Sequence, residues 1–325
     1  MPRFTVIVPN YNHGRFLRQR LDSIFNQLYR DFEVILIDDG STDHSREIIE
    51  AYRGHPNIAS IIFNPVNSGH PFSLWTIAMG LAKGAFIWVA ESDDYCENTF
   101  LQSAAEAFDR YPSAGLFYCD GRIYDQEKQA NEQTFSAIKN KLYATGKWSH
   151  SYYADGTTEL NEYLKFDCTV NNVSGMVFRK ELAADFAQQG NVFRYFGDWF
   201  YYIQLCLRAG ICYCNEPLNS YRKHASSHLQ SSTELDVQRA EYFRLLDSLL
   251  KSESISGKQQ LRIHFAFFYL HPGLRSHGIA STLRIFSSYL KINPGLAMRV
   301  MALLAWIKLF RPWYKKRVKN IDSTG

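Results

Sequence analysis

Between Phe4 and Ala90, short β-rich apolar runs alternate with stretches of helical periodicity, and this alternation leaves few architectures open. Residues 4–8 (FTVIV), 33–37 (EVILI), 58–63 and 86–90 are near-continuous apolar runs, the pattern of parallel strands covered on both faces. Between the first two, Leu17, Leu21, Ile24, Phe25 and Leu28 recur at helical spacing and predict one apolar face. Ser41 or Asp43 is placed to cap the next helix, whose Ile48, Ile49 and Tyr52 face inward, and residues 72–82 read as another helix. Such a chain folds as βαβ units with right-handed crossovers, a mostly parallel sheet flanked by helices. Ligands of these sheets bind outside the carboxyl ends of the strands.

That rule singles out three polar clusters. Strand one ends in Pro9-Asn10-Tyr11-Asn12, strand two in Asp38-Asp39-Gly40-Ser41, and the fourth in Glu91-Ser92-Asp93-Asp94. All three are expected on one edge. Acids this close repel, and burying a carboxylate is costly unless it is paired or metal-bound. Helix capping and solvation explain a lone acid pair as well as a metal does. The two other clusters favour Mg²⁺ or Mn²⁺, which take oxygen ligands together with substrate phosphates. Asp38 and Asp39 either cap the helix near Ser45 or accept the N–H of a base or a ribose hydroxyl. Tyr11 either packs partly buried or stacks on a base, a contact worth about 1–3 kcal/mol.

The second half is less regular. Residues 101–111 read as a helix and 116–119 as a strand, whereas 126–153 is polar and weakly periodic, a surface excursion. Residues 171–180 (NNVSGMVFRK) form a turn feeding a short strand, and Asp198 opens a helix stopped by Gly210. Beyond Ser231 the pattern is helical with scattered basic residues, so the expected parts are 1–230 and a helical extension, 231–325. A net charge of +4 does not suggest a nucleic-acid binder. Six cysteines without a CxxC pair or zinc spacing read as free thiols of a reducing cytosol. The N-terminus does not read as a signal peptide. The longest apolar run, 296–307, is interrupted by Arg299 and is too short to span a bilayer. With Trp306, Trp313 and the basic stretch 311–319 it forms a segment that either packs on the protein's own core or lies on an anionic cytoplasmic membrane face. The first turn lacks GxGxxG, and GxxxxGK[ST] is absent, which argues against a nicotinamide dehydrogenase and a P-loop NTPase.

Three strings together resemble family 2 glycosyltransferases, enzymes of the GT-A fold. Residues 6–45 (VIVPNYNHGRFLRQRLDSIFNQLYRDFEVILIDDGSTDHS) are similar to the family's start. Residues 67–94, ending in AESDD, look like the segment with its acidic DxD-type motif, and 196–224 (FGDWFYYIQLCLRAGICYCNEPLNSYRKH) like the stretch with its catalytic acid and YRxH ending. The resemblance implies that Pro9, Tyr11 and Asp39 line the nucleotide base with Asp38 close by. Asp93 and Asp94 would serve the ribose and a Mn²⁺ or Mg²⁺ bound to the diphosphate, and Asp198 would be the general base. His224 would donate to the diphosphate or join the metal, or else close a loop, and Arg222 is a similar case. Asn171, Asn172 and Ser174 would line the acceptor side or merely form a polar turn. Glu91 stands where the family's motif has its first Asp, so it either touches the ribose or supports the site. The implied activity is inverting transfer from a nucleotide sugar, UDP first, to a glycan or lipid-linked hydroxyl at the cytoplasmic membrane face, as in bacterial surface polysaccharide or lipopolysaccharide synthesis. A sugar nucleotidyltransferase and a non-catalytic nucleotide-sugar-binding protein are the rival readings.

Overall fold

The computed structural model describes residues 1–184, 187–224, 232–264 and 286–303. The chain divides into two compact units, Met1–Leu229 and Gln230–Gly325.

A ten-stranded sheet organises the first unit. In chain order its strands are β1 (Phe4–Asn10), β2 (Phe32–Asp38), β3 (Ile58–Phe63), β4 (Phe86–Val89), β5 (Tyr95–Cys96), β6 (Ala114–Asp125), β7 (Ala130–Thr134), β8 (Tyr152–Ala154), β9 (Met176–Arg179) and β10 (Gly210–Lys223). Across the sheet they run β3-β2-β1-β4-β9-β6-β10-β5, with β7 beside β6 and β8 beside β10. The first four are mutually parallel, β9 is antiparallel to both its neighbours, and β6 and β10 pair in parallel. Every residue of β1 and β2 is buried, as continuous apolar runs covered on both faces require. In β4 Trp88 is fully buried, lies 4.5 Å from the Phe100 ring, and satisfies its indole N–H on the Ser174 carbonyl at 2.8 Å.

Helices α1 (Gly14–Phe25), α2 (Ser45–Ala51), α3 (Pro71–Leu81) and α4 (Phe100–Arg110) follow β1, β2, β3 and β5. Helix α1 buries Phe16, Leu17, Leu21, Ile24 and Phe25. Leu28, expected on the same face, instead lies past the helix end and is 52% exposed. Gln27 explains the early stop. Its buried amide donates to the Glu97 carbonyl at 2.7 Å and accepts from the Leu101 N–H at 2.8 Å, joining α1 to α4. Of the two capping candidates, Asp43 accepts from Ser45 N at 3.0 Å and from Gly14 N at 2.8 Å, so it serves the starts of both α2 and α1. Ser41 is taken by Asp38.

The second half departs further from expectation. The predicted strand 116–119 is the middle of twelve-residue β6. The excursion 126–153 begins exposed along β7, then returns to the core: Trp148 is 1% exposed and donates to the Tyr118 hydroxyl at 2.9 Å. Lys139 is buried among the Tyr118, Trp148 and Tyr213 rings, its ammonium 5.0, 4.8 and 5.2 Å from their centroids. An aromatic cage holding a lysine leaves no periodic signal. The helix opened near Asp198 spans Gly197–Cys206, and Gly210 begins β10 instead of ending that helix.

In the second unit, helices Ser232–Lys251 and Lys258–His264 are followed by helical turns at 286–292 and 294–303, and the Phe243 and Tyr289 rings stack at 4.2 Å. This is the helical C-terminal part that the sequence predicts. No helix among the described residues is long and apolar enough to cross a membrane. The basic stretch 311–319 lies outside the described residues.

Candidate active site

Because β1, β2 and β4 are parallel and in register, their carboxyl ends reach the same edge, where Asn10 pairs with Asp38. There they border a cavity of about 380 Å³ lined by Pro9, Asn10, Tyr11, His13, Asp39 and Glu91, with Asn67, the stretch Gly69–Pro71 and Arg194-Tyr195 among its further walls. Its size suits a small-molecule ligand. Tyr11 is 41% exposed and presents its ring beside a left-handed turn at Asn12 (φ 55°), a conformation that asparagine tolerates. Asn10 donates to Asp38 Oδ1 at 2.7 Å and to Ser41 Oγ at 3.2 Å. Its Oδ1 is buried and without a partner among the described residues. Asp39 is buried and accepts from Asn64 Nδ2 at 2.7 Å, Ser68 N at 2.9 Å and Ser68 Oγ at 2.8 Å, which fixes the loop after β3 as a wall.

That wall depends on Gly40. Its φ is +72°, and a Cβ there would stand 2.7 Å from the Val66 carbonyl carbon. Left-handed strain costs about 1–3 kcal/mol even without the clash. We therefore expect Gly40→Ala to lose at least that much stability in chemical denaturation and to weaken nucleotide binding at the displaced wall. An unchanged denaturation midpoint would contradict this.

The geometry separates the two aspartates beyond β4. Asp94 is 1% exposed, and both its oxygens are engaged: Oδ2 accepts from Asn172 Nδ2 at 2.6 Å and Oδ1 from Arg222 N at 2.9 Å. Asp93 Oδ2 instead stands 3.1 Å from His224 Nε2. With His13 they form a cluster whose potential ligand atoms lie within 4.8 Å of one another. Arg222 braces this turn. Its Nε donates to the Asp93 carbonyl at 2.7 Å, its Nη2 to Gln19 at 2.6 Å and its Nη1 to Gln126, while the guanidinium lies 4.6 Å from the Phe16 ring centroid. Ser174, fully buried, accepts from Glu91 N at 3.1 Å. Asn172 and Ser174 therefore sit behind the acidic turn as its supports. Asn171 donates to the Cys119 carbonyl at 3.0 Å.

These contacts divide the charges. Burial, then the charges of Asp93 and Asp94, pushes Glu91 up to about 8 against the pull of Arg20, and Asp198 adds to the rise. Burial and the Asp93 charge likewise raise Asp94, while Arg20, Ser174 and Arg222 oppose them. Burial acts to raise Asp93 as well, but the His224 hydrogen bond and the charges of His13 and His224 prevail and hold it below the ordinary carboxylate value. The His13 imidazole is lowered by burial, then by His224 and Arg15, against the opposing Asp93. Arg20 is fully buried in α1, 5.0 Å from the Trp88 ring, and its nitrogens find no hydrogen-bond partner among the described residues. Its charge serves the acidic turn at a distance.

Asp198 lies in the first turn of helix Gly197–Cys206, with Oδ1 accepting the Trp199 N–H at 2.7 Å and Trp199 and Phe200 buried beside it. Gly197 packs where a Cβ would meet the Phe72 ring of α3 at 2.5 Å, and the charge of Asp198 reaches Glu91, which lines the cavity. Asn10, His13 and Arg20 escape a reading by motif. The first two belong to a loop whose importance was visible, but the partners that give them meaning lie far along the chain. Arg20 interrupts an apolar face and carries no signal of its own.

Residues 5–186 match the family model described as glycosyl transferase family 2. Among curated proteins the chain is 36% identical over 115 residues to poly(ribitol-phosphate) beta-N-acetylglucosaminyltransferase TarS of Staphylococcus aureus, which is 35% of this chain and 20% of that protein. It is 25% identical over 276 residues to glycosyltransferase GlyG of Streptococcus pneumoniae, covering 80% of this chain and 84% of that one. The match thus spans only about a fifth of the TarS relative. Among solved structures, S. aureus TarS 1-349 in complex with UDP-GlcNAc gives a TM-score of 0.69 at 21% identity, over 99% of this chain and 89% of the other. Mannosyltransferase PcManGT from Pyrobaculum calidifontis, in complex with GDP-Man and Mn²⁺, gives 0.57 at 15% identity over 97% and 88%. At these identities the structural likeness establishes the fold. The family model covers more than half of the sequence, and the chain accordingly belongs to glycosyl transferase family 2, built on the GT-A fold.

Proposed function

We propose that this chain transfers a sugar from a nucleotide-sugar donor, a UDP-sugar foremost, to a hydroxyl of a glycan or lipid-linked acceptor, inverting the anomeric centre. The observation that carries the reading is the adjacency of two environments. A cavity with Tyr11, Asn10 and Asp39 on its walls shares His13 with the His13–Asp93–His224 cluster, so a base and a diphosphate have neighbouring places. The TarS structure holds UDP-GlcNAc and the PcManGT structure GDP-Man with Mn²⁺, which supports a nucleotide sugar here. The unpartnered Asn10 oxygen is an acceptor suited to a base N–H, such as the N3–H of uracil.

In this reading Tyr11 stacks on the base, Asn10 and Asp39 bound its edge, and Asp38 orients Asn10 from below. Asp93 and His224, one carboxylate oxygen and one imidazole nitrogen 3.1 Å apart, would hold a divalent cation, which would supply charge neutralisation at the departing diphosphate. Asp94, Arg222, Asn172 and Ser174 hold that turn in place. Asp198 accepts the acceptor hydroxyl's proton as the oxygen attacks C1, the new C1–O bond forms, and the bond to the diphosphate oxygen breaks from the opposite face. Synthesis of a surface polysaccharide fits the acceptor in the name of the TarS relative, poly(ribitol-phosphate).

The test is a screen of UDP-, dTDP- and GDP-sugars with Mn²⁺ or Mg²⁺, scoring nucleoside diphosphate release. Release of nucleoside diphosphate from a UDP-sugar supports the reading. Pyrophosphate release instead would assign a nucleotidyltransferase, and binding without turnover toward any hydroxyl acceptor a sugar-nucleotide receptor.

A further inference from the structure

His13 has no part in the transfer chemistry, yet it stands with the two residues that would hold the cation. It lies at the N-terminal boundary of α1 and makes no capping hydrogen bond there with its side chain, so helix initiation does not explain it. Its ring is set at 84° to that of His224, with centroids 5.7 Å apart. The three residues arrive from the loop after β1, the turn after β4 and the end of β10, and their ligand atoms fall within 4.8 Å of one another. We propose that His13 is a third protein ligand of this cation site, turning it into a two-imidazole, one-carboxylate set that selects first-row transition ions over Mg²⁺. The inference rests on the metal-dependent reading of the site and adds to it a ligand and a selectivity.

The hydrogen bond that His13 makes outside the cluster suits the role. Ser92 Oγ lies 2.9 Å from His13 Nδ1, so that nitrogen is engaged outside the cluster and Nε2 is left for the ion. The Arg15 Nη2–His224 Nδ1 contact, at 3.5 Å, is at the limit of a hydrogen bond and does not fix the tautomer; an ion bound at Nε2, which stands 3.1 Å from Asp93 Oδ2, would place the ring proton on Nδ1. An outer partner that fixes an imidazole's tautomer and orientation, as Ser92 can for His13, is the usual companion of metal-bound histidine. His224 is further steadied by the Phe16 ring at 4.9 Å.

Ligand chemistry then sets the preference. Mg²⁺ keeps oxygen ligands and water and gains little from imidazole, whereas first-row ions gain with each nitrogen, in the order Mn²⁺ < Co²⁺ and Mn²⁺ < Zn²⁺. A site with one histidine serves either class. With two it discriminates.

The experiment uses the full chain, with and without UDP, and titrates Co²⁺ by its visible absorption and Mn²⁺ by loss of the free-ion electron paramagnetic resonance signal, with Mg²⁺ as competitor. The expected result is tighter Co²⁺ than Mn²⁺, and Mn²⁺ tighter than Mg²⁺. His13→Ala should weaken Co²⁺ and Mn²⁺ by at least about 10–100-fold, the range already seen when a metal ligand loses only its outer partner, while Mg²⁺ changes by less than about threefold. Ser92→Ala, which spares the ring, should weaken Co²⁺ by a smaller factor and shift its absorption. Metal-free melting of each variant, close to that of the parent chain, guards against misfolding. If His13→Ala binds Co²⁺ like the parent while His224→Ala does not, the third-ligand inference falls and the metal-dependent reading stands. If the parent binds none of the three ions even with UDP, both fall.

Discussion

Asp198→Asn is expected to lower turnover by about 10²–10⁴-fold while leaving UDP-sugar affinity within about threefold, the range general-base catalysis contributes. The substitution is conservative where it matters for folding. Asparagine keeps the volume and retains an oxygen to accept the Trp199 N–H, so the start of helix Gly197–Cys206 and the buried Trp199 and Phe200 stay in place. What it loses is proton affinity. Glu91 is close enough to feel the Asp198 charge, and its environment works against it: burial, together with the negative charges of Asp93 and Asp94, raises it to about 8, so it holds a proton more tightly than an ordinary glutamate. A protonated Glu91 donates a hydrogen bond, as to a ribose or sugar hydroxyl, and accepts no proton from the acceptor. Nucleoside diphosphate release measures turnover, and calorimetric titration measures donor binding. Retained turnover would move the base to Glu91. Lost donor affinity would make Asp198 a binding residue.

What the sequence disclosed follows from how each part is encoded. Strands β1 to β4 were legible because a strand covered on both faces must be apolar throughout, and the residue that ends such a run is polar for a reason. Hence Tyr11, Asp39 and Asp93 stand out as candidates before any geometry. Strand β10 was not read as a strand, since Pro217 and the register shifts on either side of it break its alternation. Asp93 and Asp94 are adjacent and chemically identical in the sequence. Only the strand's direction sends one to His224 and the other to Asn172 and Arg222, residues 78 and 128 positions away. Lys139 looks like a solvated lysine until three aromatic rings from separate elements close over it. Periodicity reports the average environment of a segment, and a site is made of exceptions to it.

The two aspartates should accordingly fail in different ways. Asp94→Ala removes the acceptor of two donors, Asn172 Nδ2 and Arg222 N, of which the second is buried in the sheet. Leaving a buried donor unpaired costs about 1–3 kcal/mol, so the metal-free protein should melt measurably lower. Asp93→Ala breaks one contact, to His224, and at the same time relieves the repulsion that raises Glu91 and Asp94. These effects oppose each other, and metal-free stability should stay within about 1 kcal/mol of the parent. With Mn²⁺ and UDP at about 100 times their dissociation constant, the parent chain should gain about 2.7 kcal/mol by mass action. Asp93→Ala should lose that gain entirely, whereas Asp94→Ala should keep part of it from a lower starting point, because its Asp93 and His224 remain. Thermal melts of the three proteins, each with and without Mn²⁺ and UDP, separate the roles. If Asp94→Ala abolishes the gain and Asp93→Ala retains it, the cation is held by the aspartate that the geometry turns toward Asn172, and the division between an anchoring acid and a metal-facing acid is reversed.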